Sequence, residues 1–241
     1  MCGIIAVVRR RSDRTPPVAA DLLGPLETVP GLLTGVRDDE LVAVLADAAR
    51  RIGGVDRLLQ GVPGVEALLG DRSLLASIEA VTGIVDDLIE DLEDRLDTEA
   101  GRAIDDLENV NAALILLKDA VWAVRRDRVR TARAVDDLAG PDAGRSALEA
   151  YTSIQQALSA LDRLEVRGRD SAGLHVLVSD HGLDVTSPTV AGALGERADD
   201  GLFGALAVRT PDGHLSFVYK AAAEIGELGD NTLTLLSLIH I

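Results

Sequence analysis

The sequence predicts an α+β protein: an antiparallel sheet drawn from residues 2–8 and 174–220, with a long α-helical bundle inserted between the two parts. Three observations carry this. Gly3-Ile4-Ile5-Ala6-Val7-Val8 is a short run rich in β-branched side chains, which reads as a buried strand. From about Ala19 the apolar residues recur at helical spacing for well over a hundred residues. After Gly173 the period changes to that of strands.

The elements follow in chain order. The first strand ends at Arg9-Arg10-Arg11, and Ser12 to Pro17 is a polar, proline-bearing exit loop. Leu41, Val44, Leu45 and Ala48 mark a helix expected to stop at Gly53-Gly54. Val55, Leu58 and Leu59 precede a break at Val62-Pro63-Gly64, and Val65, Leu68 and Leu69 form a short helix before Gly70. Asp71 is the expected N-cap of the next helix, because its carboxylate can accept from backbone N–H groups of the first turn. Ile78, Val81, Val85, Leu88, Leu92 and Leu96 make one long stripe. Ile104, Leu107, Asn111, Leu114, Leu117, Val121 and Val124 make another, and both approach the heptad spacing of antiparallel coiled coils. Asp86 to Glu108 is mostly acidic and Arg125 to Arg133 mostly basic, so the two helices should attract one another as a hairpin. Gly140-Pro141-Asp142-Ala143-Gly144 is a break, and Arg145 to Leu164 is the last helix before the sheet resumes.

Leu174-His175-Val176-Leu177-Val178 reads as a strand, Asp180-His181-Gly182 as a turn, and Leu183-Asp184-Val185 as the start of a second short strand. Pro188 to Asp199 is a small helix, and Ala205–Thr210 with His214–Lys220 should form a hairpin around Pro211-Asp212-Gly213. The expected domains are 1–18 (first strand), 19–154 (helical insertion), 155–234 (the rest of the sheet domain) and 235–241 (a tail).

Composition narrows the function classes. Apolar residues are 47% of the chain but aromatics only 2%, so a core must come from Leu, Val, Ile and Ala. A net charge of −16 argues against nucleic acid, whose phosphates need basic neutralisation, and against an anionic membrane surface. No run is apolar for long enough to span a bilayer, and no signal peptide is evident. A single cysteine excludes an internal disulfide and fits a reducing, cytoplasmic setting. His175, His181, His214 and His240 lack metal-ligand spacing, so no metal and no cofactor are expected.

That cysteine stands at position 2. Removal of Met1, usual before a small side chain, leaves a thiol and a free α-amine on one residue. The amine titrates near ~8 and the thiol near ~8.5, so proton exchange between them costs little. Cys2 is thus the candidate catalytic nucleophile, activated by its own amine.

Met1-Cys2-Gly3-Ile4-Ile5-Ala6-Val7-Val8 resembles the opening of class II glutamine amidotransferases. Leu161-Asp162-Arg163-Leu164-Glu165-Val166-Arg167-Gly168-Arg169-Asp170-Ser171-Ala172-Gly173-Leu174 resembles the LEYRGYDSAG segment of the glutamine–fructose-6-phosphate aminotransferase (isomerizing) type. The two blocks cover residues 1–10 and roughly 155–233, and the residues between them depart from the family's usual pattern. The resemblance implies a truncated N-terminal-nucleophile hydrolase sheet carrying the helical insertion. It implies a glutaminase in which the Cys2 thiolate attacks glutamine, ammonia leaves, and water releases glutamate. The ammonia would convert fructose 6-phosphate to glucosamine 6-phosphate in further domains that this chain does not carry. Gly3 would let backbone approach substrate, and Arg167, Gly168, Asp170 and Ser171 would organise the site, with Asp170 pairing to Arg167. Arg169 replaces the family's Tyr and is given no role.

The family's HTRWA-type segment and the Asn-Gly pair of its oxyanion hole do not occur here. Loss of one such donor costs about 10²–10³ in rate, so the polypeptide as written is expected to be inactive. Leu236-Ser237-Leu238-Ile239-His240-Ile241 is what a transposase mosaic end used in sequencing libraries encodes in frame, which points to a non-native tail after about Thr234. An apolar C-terminal strand is the alternative. Two other functions stay open: a class II amidotransferase with a different acceptor, such as an amidophosphoribosyltransferase-like enzyme, and a helical protein-interaction module on a glutaminase remnant. A homodimer of the full-length protein is left open as well.

Overall fold

The computed structural model describes residues 3–9, 12–98, 106–140, 142–165, 171–199, 206–222 and 229–240. It divides into two compact units, Arg9–Thr152 and Met1–Val8 with Ser153–Ile241. The structure is 70% helical with a small three-stranded sheet, so the expected N-terminal-nucleophile hydrolase sheet, truncated or otherwise, is not what forms.

Among the described residues, the regular elements of the unit Arg9–Thr152 are all helical. Its elements are α1 (Ala19–Glu27), α2 (Val29–Leu33), α3 (Leu41–Leu58), α4 (Val62–Gly70), α5 (Arg72–Leu96), α6 (Leu107–Trp122), a π-helical segment (Ala123–Val129), α7 (Arg130–Ala139) and the first turns of α8 (Arg145–Glu165). α1 and α2 pack on both α3 and α5, and α6 packs on both from the other side, so α3 and α5 stand across the bundle from one another. α3 buries Leu41, Leu45, Ala48, Ile52 and Val55, a four-three alternation that keeps one stripe inward. That stripe runs straight through Gly53-Gly54, so the expected stop there is wrong: the helix continues to Leu58 because Ile52 and Val55 hold both sides of the glycines in the core. α5 is capped as expected, Asp71 accepting from the N–H groups of Ser73 and Leu74. Ile78, Val85, Leu92 and Leu96 are buried along it. In α6 the core residue is Val110, while the expected stripe member Asn111 is exposed: the stripe is phased one residue earlier at its start.

The two long helices are tied as their charges suggest. Glu79, Asp86 and Glu93 of α5 pair with Arg133, Arg125 and Lys118. The acids are spaced seven and seven, but their partners are spaced seven and eight. The extra residue falls within the π segment, whose wider turn absorbs it. The buried stripe shows the same step, advancing five residues from Val124 to Val129 before continuing in threes through Ala132, Val135 and Leu138.

The unit Met1–Val8 with Ser153–Ile241 contains the rest of α8, β1 (Ala172–Val178), α9 (Pro188–Asp199), β2 (Val208–Arg209), β3 (Leu215–Ala221) and α10 (Asp230–His240). The antiparallel sheet has the order β1-β3-β2, with Leu174 opposite Tyr219 and Val208 opposite Phe217. The hairpin turns at Pro211-Asp212-Gly213, where Asp212 and Gly213 both take positive φ. Leu158, Tyr219, Ala221 and Leu235 form its core, with Ile154 and Leu161 of α8 against them.

Two strand expectations fail, and so does the alternative of a C-terminal strand. Residues 3–8 lie outside the sheet, with Ile4 95% and Val8 92% exposed. A β-branched run becomes a strand only where a partner supplies the ladder and a face buries the side chains, and here neither is present. Leu183-Asp184-Val185 is not a strand because the Asp184 carboxylate accepts from the Thr186 N–H and hydroxyl, closing a turn. The C-terminal residues form helix α10, not a strand. Among the described residues no helix is long and apolar enough to cross a membrane.

Candidate active site

The site expected from sequence lies at the chain start and between α8 and β1. α8 is held by Leu158, buried against the sheet, and its last turn carries Leu164. Gly3 sits on that turn. A Cβ added to Gly3 would lie 2.8 and 2.9 Å from the two δ-carbons of Leu164. The start of the chain therefore reaches the helix end three residues ahead of Arg167. On the far side Ser171 is exposed and leads directly into β1, where Ala172 pairs with Ala221. Cys2, Arg167, Gly168 and Asp170 lie outside the described residues, so the structure brings together Gly3 and the end of α8 and places the flank at Ser171.

Two histidines of this unit have structural work. His175 on β1 meets the buried Ser216 hydroxyl on β3 at 3.0 Å. His181 Nδ1 accepts from the Leu183 N–H at 3.0 Å, so in its neutral form Nε2 carries the hydrogen and donates to the Gly213 carbonyl at 2.8 Å. That pair of bonds joins the 180–183 turn to the hairpin turn. Among the described residues no group of three or more His, Cys, Asp or Glu could hold a metal ion.

Sequence reasoning missed Leu164, for which the signal was its place one helical turn beyond Leu161, and it missed Arg197. The Arg197 guanidinium lies 5.7 and 5.8 Å from the ring centres of Phe217 and Tyr219, and donates to the Tyr219 hydroxyl and the Leu238 carbonyl. The i, i+2 spacing of those two aromatics in a predicted strand was the available hint. In the helical unit a groove of about 720 Å³ is lined by Asp21, Pro25, Arg50, Arg51 and Arg57 with glycines between them. Asp47 pairs with Arg50 and Arg51, at 2.8 and 2.9 Å, which offsets much of their charge. In comparisons of the chain with family models, with curated proteins and with solved structures, none matches.

Proposed function

We propose that the chain is the glutamine-hydrolysing part of a class II glutamine amidotransferase of the glutamine–fructose-6-phosphate aminotransferase type, with Cys2 as nucleophile and its α-amine as base. The observation that supports the reading is the contact of Gly3, next in sequence to Cys2, with Leu164, three residues before Arg167. Two sequence blocks about 150 residues apart thus have their described parts in contact. The thiolate would attack the glutamine side-chain amide, the amine would relay the proton to departing ammonia, and water would release glutamate. Arg167, Gly168, Asp170 and Ser171 are the proposed organising residues. The setting would be cytoplasmic, the partners glutamine and, through further domains, fructose 6-phosphate, and neither nucleic acid nor membrane would be bound.

The reading requires a free amine on Cys2. Intact-mass measurement should show Met1 removed, and retention of Met1 would sink the mechanism. In the full-length protein Cys2→Ala should abolish glutamine hydrolysis while leaving thermal stability unchanged. Hydrolysis that survives the substitution excludes Cys2 as nucleophile. A second reading, a helical interaction module, is favoured by one observation: the helical unit has a core of its own and leaves a tryptophan on its surface.

A further inference from the structure

Beside the ion-pair seam between α5 and α6, the surface changes character. Ile115 and Trp122, seven residues apart on one face of α6, are 58% and 52% exposed. Trp122 is the chain's only tryptophan, and an indole is among the side chains that most often anchor a partner. The pairs Glu93–Lys118 and Asp86–Arg125 fix the level of one helix against the other, so the stretch from Ile115 to Trp122 runs level with residues 89–96 of α5. There and one turn before, α5 exposes Asp87, Glu90, Asp91 and Asp94, and α6 adds exposed Asp119 between its two apolar side chains. None of these five carboxylates has an ion-pair partner among the described residues. Exposed Arg126 and Arg130, beyond Trp122, are likewise unpaired there. Five carboxylates against two arginines leave the surround of the indole acidic.

We propose that this α5–α6 face docks a basic amphipathic helix of a partner protein, its apolar side against Ile115 and Trp122 and its lysines or arginines against the carboxylates. The charge selects the occupant. A second copy of the chain would set acid against acid, since both helices of the face carry free carboxylates. Nucleic acid and an anionic bilayer would meet the same repulsion. A basic segment gains instead from each carboxylate that it neutralises, and these carboxylates have no internal ion pair to give up. The form of the partner follows from the support. Two antiparallel helices present their side chains in parallel rows, and a third helix laid along the seam reaches both rows at once, with anchors one or two turns apart. Ile115 and Trp122 stand two turns apart. The inference goes beyond the glutaminase reading and names a partner for the interaction module.

The probe is a synthetic peptide of about 18 residues, five helical turns, built from lysine and leucine with the leucines on one side. It carries no aromatic residue, so tryptophan emission of the 241-residue chain reports Trp122 alone. Titration should shift that emission to the blue, and lowering the salt should tighten binding. The same peptide with glutamate for lysine should not bind. Glu90→Lys together with Asp94→Lys should raise the dissociation constant about tenfold or more. Asp21→Lys with Glu27→Lys makes the same change of net charge on exposed residues of α1, across the bundle from α6, and should leave the constant within about twofold. Trp122→Ala, followed by calorimetry, should weaken binding about tenfold. The absence of a blue shift up to about 100 μM peptide, in the range of weak transient pairs, overturns the proposal. Equal losses from the two charge-reversed pairs overturn it as well, as does binding that Trp122→Ala leaves unchanged, or a dimer of the chain that forms without the peptide and competes with it. Any of these removes the face from the interaction module and leaves the Cys2 chemistry untouched.

Discussion

Gly64 stands where a larger residue cannot. A Cβ there would overlap the Leu59 carbonyl, a backbone group with no rotamer to escape into. Gly64→Ala should therefore shift the start of α4 and destabilise the helical unit by about 2–3 kcal/mol, read from urea midpoints at unchanged slope. Gly3→Ala meets instead the flexible end of Leu164, which can turn aside, and should cost far less. Charged residues add a pH dependence of known sign. Hydrogen bonds from the Ser73 side chain and the Leu74 N–H hold Asp71 below the usual carboxylate range, the Thr186 side chain and N–H do the same for Asp184, and Arg37 for Glu40. A carboxylate with a depressed folded-state value stabilises fully above its unfolded value and loses that contribution as pH falls through the folded one. Thermal midpoints should accordingly hold steady from pH 7 to 5 and fall below about pH 4. Asp71→Asn keeps a capping oxygen without the titration, so its midpoint should fall less over the same acid range. An equal fall would show that the cap charge is irrelevant.

At the scale of elements, the π segment is the feature with the clearest test. Deleting Asp127 should let residues 123–129 close into ordinary α-helix, restore a four-residue step between Val124 and Val129, and leave helical circular dichroism and the thermal midpoint close to those of the parent chain. Deleting Leu116 from the regular turn of α6 should instead rotate every following core residue out of place and melt the bundle. Equal damage from both deletions would refute the idea that one surplus residue is housed there. The helices themselves were largely legible, because a buried stripe such as Ile78, Val85, Leu92 writes its period into the sequence. The π segment was written there too, as the step of five after Val124, but a search for threes and fours passes over it. Strands were legible only in part. The hairpin at Pro211–Gly213 announces itself through local turn chemistry, whereas residues 3–8 and 183–185 depend on partners that periodicity does not reveal. Of the candidate site, residue identity was legible and geometry was not: nothing in the sequence says that Gly3 meets Leu164.

At the scale of the whole molecule, two apolar clusters share no residue, one running from Leu22 to Ala132 and the other formed around Leu158, Tyr219 and Leu235. Leu235 is fully buried, with Leu236, Leu238 and Ile239 packed beside it, all within or next to the residues that the sequence marks as a foreign tail. A chain ending at Thr234 should lose the structure of the sheet unit, since removing even one buried leucine costs about 3–5 kcal/mol, while the helical unit keeps its transition in calorimetry. A single transition that moves as one on truncation would show that the two clusters do not melt separately.

Trp122 has a further consequence, for how this protein can be watched. Its indole is already 52% exposed in the folded helical bundle, so loss of structure uncovers only the remaining half of it. Its emission should therefore shift less on unfolding than that of a buried indole, and circular dichroism is the fuller measure of lost structure. The exposed half of the ring is then free to report whatever comes to cover it.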